Sequence, residues 1–251
     1  MDRVISSYAP TLRALHYARG GPSLGGSSRV PDPDQPMRSL IVAMPTTPGS
    51  TDLDLRGVAN HARQLRDLLP NAEILIQPDR VDPAAMSGAP TKNAVLSRLA
   101  GRTIVHFACH GLTDAADPSR SRLLLSDHET DPFTVAALAS VRLDSAGLAY
   151  LSACSTALNE VTELADESIH LTSAFQLAGF PHVIGTLWEV DASVAEEVAH
   201  EFYIRMGDES GESGGYDLGR AALTLHHIVR ELRDGEPDKP GTWAAYLHAG
   251  A

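Results

Sequence analysis

Thr103 to Gly111 reads TIVHFACHG, an apolar run that stops at a histidine and a glycine. Ile104, Val105 and Phe107 give it strand character, because β-branched and aromatic side chains pack well on a pleated surface. Upstream lie an apolar run from Ser39 to Met44, an amphipathic stretch from Leu53 to Leu69, a second apolar run from Ala72 to Ile76 and a helical pattern from Lys92 to Leu99. Downstream the alternation continues with strand Leu148 to Leu151, helix Glu167 to Ala178 closed by Gly179, strand His182 to Leu187, and helices from Ala192 to Met206 and from Leu218 to Arg233. Short apolar runs alternating with amphipathic ones are the pattern of a parallel α/β sheet. The chain opens with a short strand from Arg3 to Ser7 and a helix from Pro10 to Arg19. Between that opening and the patterned region, Gly20 to Pro36 reads GGPSLGGSSRVPDPDQP, a composition that buries no face and predicts a flexible loop. Asp208 to Tyr216 and Pro237 to Gly241 read as further loops.

Composition narrows the function. The 251 residues can bury a full core, and 43 % are hydrophobic, yet no apolar run approaches the roughly 18 residues that cross a bilayer. The opening MDRVISSYAP has an early acid and no apolar core of a secretory signal, so the chain reads as soluble and cytoplasmic, without a membrane partner. Lys and Arg number 20 against 32 Asp and Glu, a net charge of -12, which repels phosphate backbones and argues against nucleic acid. The two cysteines, Cys109 and Cys154, make neither a disulfide framework nor a four-cysteine zinc site. No metal or other cofactor is expected.

Several motifs have bland readings. Gly211 to Gly215 spells G-x-S-x-G, but a nucleophile elbow needs a buried strand before it, and here an acidic, glycine-rich loop surrounds Ser213. His106, Cys109 and His110 have a spacing that converges on a metal from a helix; on a strand, His106 and His110 share one face and Cys109 takes the other. In the helix from Ala192, the residues Val194, Val198, Phe202 and Met206 form a packing stripe, and Glu196, Glu197, His200 and Glu201 are expected on a solvated face. One pair stands apart. His110-Gly111 ends one apolar strand and Cys154 follows another, and ligand sites in open α/β sheets lie at the carboxyl ends of strands. If the strands are neighbours, thiol and imidazole can meet as nucleophile and general base. Alternatively, cysteine is a small buried hydrophobe and histidine a satisfied structural residue. Gly111 favours the first reading, because a glycine admits substrate backbone and lets its N–H, with that of Cys154, bind an oxyanion.

IVHFACHG (Ile104 to Gly111), LAYLSACST (Leu148 to Thr156), ADESIHLTSAFQLAGFPHVIGTLWEVDASVAEEVAHEFY (Ala165 to Tyr203) and TWAAYLHAG (Thr242 to Gly250) together resemble the CHAT domain, a caspase-like cysteine-peptidase module related to caspases and separase. VISSYAPTLRAL (Val4 to Leu15) resembles the family's opening strand and helix, so the likeness runs over nearly the whole chain. It implies a single domain over residues 1–251 with a caspase-like three-layer α/β/α sandwich and a mainly parallel sheet. The TPR repeats that commonly precede this module do not occur in this sequence. By the resemblance, His110 is the catalytic histidine and Cys154 the nucleophile, in a cysteine endopeptidase acting on a protein or peptide and regulated by a partner protein or a TPR region. A catalytically silent scaffold in a signalling or defence assembly is the alternative. Cys109 has no catalytic counterpart and is expected in the core. His106 either orients His110 or is a buried structural residue. Relatives often bind a basic residue before the scissile bond, and Glu189 and Asp191 follow a strand at about the right place to read it. Asp191 could instead cap the helix from Ala192, although Ser193 and Glu196 make a competing capping box. The acid that metacaspases carry two residues before the nucleophile is replaced by Ser152.

Overall fold

The computed structural model describes residues 4–9, 15–16, 36–78, 88–114, 116–152, 168–208 and 216–250. Cys154 lies outside them, as do the G-x-S-x-G segment and nearly all of the opening helix and of the loop from Gly20. The strands are β1 (Ser39–Ala43), β2 (Ala72–Ile76), β3 (Ile104–Ala108), β4 (Gly111–Leu112), β5 (Arg122–Leu123), β6 (Phe133–Thr134), β7 (Leu148–Leu151), β8 (His182–Thr186) and β9 (Tyr246–Gly250). The α-helices are α1 (Val58–Leu68), α2 (Lys92–Leu99), α3 (Val135–Ala139), α4 (Ser168–Ala178), α5 (Ala192–Asp208), α6 (Ala221–Gly235) and α7 (Pro240–Trp243).

Six strands form one sheet in the order β2-β1-β3-β7-β8-β9. All pairs are parallel except the last, in which β9 runs against β8. Every residue of β1, β3, β7 and β8 is buried. Such continuous apolar runs belong to sheets covered on both faces. Alternate residues feed two cores. Leu40, Val42, Val105, Phe107 and Ala149 face α2 and α4, whereas Ile41, Ile104, Leu148 and Tyr150 face α1, α5 and α6. This is the three-layer α/β/α sandwich that the sequence predicts.

The chain leaves β1 toward β2 on one side and returns to β3 on the other, so the loops after β1 and β3 diverge at their carboxyl ends. A crevice at such a switch point is the usual ligand site of an open α/β sheet. Gly57, at φ 93°, starts α1 later than the expected Leu53, because Leu55 N–H bonds Pro45 O at 2.9 Å and keeps Leu53 to Gly57 as a loop. The last long helix divides likewise into a 3₁₀ turn (Leu218–Arg220) and α6. Residues 4–9 form no strand, only a bridge from Tyr8 to Ala249. The small antiparallel sheet β4-β5-β6 and the edge strand β9 are not anticipated by the sequence reading. Among the described residues no helix is long and apolar enough to cross a membrane.

Candidate active site

His110 stands just beyond β3, 4 % exposed, between the loop that follows β1 and the start of β4. Its Nε2 is 3.1 Å from the backbone oxygen of Leu53. A carbonyl only accepts, so Nε2 carries the proton and, in the neutral ring, Nδ1 carries the lone pair. Nδ1 is buried and has no hydrogen-bond partner among the described residues. Burial pushes the imidazole below its ordinary value of 6.5, opposed by the Leu53 carbonyl and by the nearby Glu189 carboxylate. The ring is thereby fixed in one tautomer, uncharged near neutrality, with a basic nitrogen uncommitted to any of the described residues.

A cleft of about 450 Å³ opens beside it. Leu55 comes from the segment after β1, Val58 and His61 from α1, Ser152 from the end of β7 and Glu196 from α5. Glu189 and Asp191, the two acids singled out in the sequence, also line this cleft and are exposed. Asp191 Oδ1 accepts from Ser193 N–H at 2.9 Å and from Ser193 Oγ, so its carboxylate caps α5. Those bonds hold its carboxyl below the usual range.

Strand alternation is observed around β3. Cys109 is 1 % exposed and packs in the core beneath α2 and α4. His106 is fully buried on the opposite face, stacked on Tyr150 with centroids 5.1 Å apart and with Nδ1 3.2 Å from Tyr203 Oη. Its ring neighbours are His61, Tyr150 and Tyr203, which fits a structural histidine.

Glu196 corrects the expected solvated face of α5. Its Oε1 is buried with no hydrogen-bond partner among the described residues and lies against Gly57, where a Cβ would come within 2.9 Å of it. Burial raises its carboxyl. Glu201 faces outward and pairs with Arg205 at 2.6 Å, as expected. The sequence reading also misses the Leu53 carbonyl and His61. His61 has one legible signal, its place on the inward face of the amphipathic α1, but a backbone carbonyl has no residue identity to read.

The CHAT domain family model matches residues 4–251. The chain belongs to the CHAT domain family. Among solved structures, this CHAT domain is similar to the Arg-specific cysteine proteinase gingipain R, with a TM-score of 0.51 at 11 % identity over 85 % of this chain and 46 % of that one. A complex of the pro- and mature domains of Porphyromonas gingivalis RgpB matches with a TM-score of 0.46 at 12 % identity, over 85 % of this chain and 47 % of that one. At 11 % identity the likeness to gingipain R is one of fold, and it is the caspase-like fold. The CHAT domain spans about half the length of these structures. Among curated proteins no sequence match is found.

Proposed function

We propose that this CHAT domain is a cysteine endopeptidase in which Cys154 is the nucleophile and His110 the general base. The observation that carries the reading is the Leu53 contact, which commits Nε2–H of His110 and leaves the buried Nδ1 as a proton acceptor beside the cleft. The strand pairing supports it. Phe107 of β3 lies opposite Leu151 of β7; His110 comes three residues after the former and Cys154 three residues after the latter.

In the proposed reaction, Nδ1 of His110 takes the thiol proton as Sγ of Cys154 bonds to the scissile carbonyl carbon, and the carbonyl electrons move onto oxygen. The N–H groups of Gly111 and Cys154 hold that oxyanion. Collapse expels the amine, which takes the proton from Nδ1–H and leaves a thioester. Water then gives a proton to Nδ1 and hydroxyl to the acyl carbon, releasing the acid and restoring the thiol. A basic residue before the scissile bond suits a cleft lined by carboxylates. Control by a partner protein or a TPR region belongs to the same reading.

The test is twofold. Iodoacetamide should alkylate Cys154 in the native protein while sparing the buried Cys109, and a fluorogenic Arg or Lys peptide should be cut. Cys154→Ala should abolish cleavage. Cys109→Ala should retain it, with a stability loss on the order of 1 kcal/mol from the lost core sulfur. Cleavage that survives Cys154→Ala, or that vanishes in a folded Cys109→Ala, would overturn the assignment.

A further inference from the structure

We infer that Glu196 is the side chain that selects the residue before the scissile bond, receiving its guanidinium or ammonium group at the inner wall of the cleft. The biological meaning rests on the peptidase reading above, but the pocket chemistry stands on the cleft itself.

Among the described residues three carboxylates line that cleft, and their surroundings differ. Asp191 is spent on the backbone and hydroxyl of Ser193. Glu189 is exposed at the surface, where water screens it. Glu196 alone of the three has an oxygen that is both buried and without a hydrogen-bond donor among the described residues. An unsatisfied carboxylate oxygen away from water is unfavourable, and a donor arriving with a bound cation would remove that cost.

The other walls fit the same ligand. Among the described residues no Lys or Arg lines the cleft, so none of them competes as a resident cation. His61, on the same wall, is 4 % exposed with Nε2 buried and unpartnered, and burial pushes its imidazole down to about 4, so it supplies no positive charge near neutrality. Leu55, Val58 and Ala195 offer apolar surface for the methylene stem that carries a guanidinium or ammonium. Gly57 is part of the device: any larger residue would place a Cβ on the Glu196 carboxylate.

The experiment is calorimetric titration of the full chain carrying Cys154→Ala with benzamidine, a rigid amidinium, and with its neutral analogue benzamide. Benzamidine should bind and benzamide should not. Glu196→Gln, nearly isosteric, should weaken benzamidine by about tenfold or more, the scale set by losing the partner of a desolvated charge. Glu196→Asp should keep the preference for the cation over benzamide, and Glu189→Gln should change affinity only about twofold, as for a rim charge. Equal binding of benzamidine and benzamide, no binding of benzamidine, or undiminished binding to a folded Glu196→Gln would each overturn the assignment. With Cys154 restored, Glu196→Gln should lower kcat/KM for an Arg peptide and spare a Leu peptide. If the wild-type chain cuts neither peptide while benzamidine binding keeps its dependence on Glu196, the peptidase reading fails and the cation pocket stands.

Discussion

His110 shows how one backbone contact can set the chemistry of a side chain. Leu53 O takes Nε2–H, and the neutral ring is left with Nδ1 as its only base. Replacing His110 by Ala should therefore lower turnover by on the order of 100-fold or more, the usual worth of a positioned general base, with substrate affinity nearly unchanged. The pH profile gives a finer check. Burial lowers the imidazole below 6.5, and the Glu189 carboxylate pulls the other way. The proposed mechanism needs the unprotonated ring, so the acid limb of kcat/KM should have its midpoint below pH 6.5. Glu189→Gln removes an upward pull and should move that limb to still lower pH. A limb at or above 6.5, or one that moves upward in Glu189→Gln, would show that burial does not govern this histidine.

At the level of elements, the end of α4 is set by a glycine and the start of α5 by an acid. Gly179 follows α4 at φ 135°, its N–H bonds to Phe175 O and Gln176 O, and a Cβ there would lie 2.4 Å from Leu143 O. Gly179→Ala should cost about 1–3 kcal/mol in denaturant unfolding, because both the backbone conformation and the backbone of residue 143 resist a side chain. The sequence makes this closure legible, since glycine after an amphipathic run is the common helix stop. The start of α5 is only half legible. Asp191 and Ser193 compete for the cap on paper, and in the fold Asp191 takes it by accepting from Ser193 N–H. Asp191→Asn should therefore leave the thermal midpoint almost unchanged, whereas Asp191→Ala should lower it, as caps of equal geometry interchange and an absent one does not. Equal midpoints for the two variants would count against the cap.

Across the whole molecule, buried histidines tie stability to pH. His248 of β9 joins two neighbours: its Nε2 lies 3.1 Å from Nδ1 of His182 in β8, and its Nδ1 lies 2.8 Å from Ser7 Oγ, which itself donates to Gly250 O. Burial foremost, then the neighbouring imidazole, push His248 down to about 3, and burial with His200 pushes His61 down to about 4. In the unfolded chain both rings titrate near 6.5. The unfolded state thus binds more protons than the native state between about 6.5 and 3, and the stability present above 6.5 is lost as pH falls through that window. Urea midpoints should be lower at pH 4.5 than at pH 7, and His248→Gln should flatten the difference; equal midpoints would remove these rings as its source. What the sequence determined by itself is most of the long elements, the two faces of β3, the helix stop at Gly179 and the position of His110 past a buried strand. Period and punctuation are local properties, and they survive in a single chain read in one dimension. Only the tertiary structure decided that β1 lies beside β3, that β9 closes the sheet antiparallel, that Leu53 O holds His110, and that Glu196 turns inward from a face that reads as solvated. Hydrophobic periodicity says which side of an element is apolar but not what it meets, and strands of two residues such as β4, β5 and β6 are too short to have a period at all. Gly57 supplied the reason for the inward turn, since a carboxylate can approach that backbone only where no Cβ stands, and helix α5 reaches it only in the folded chain.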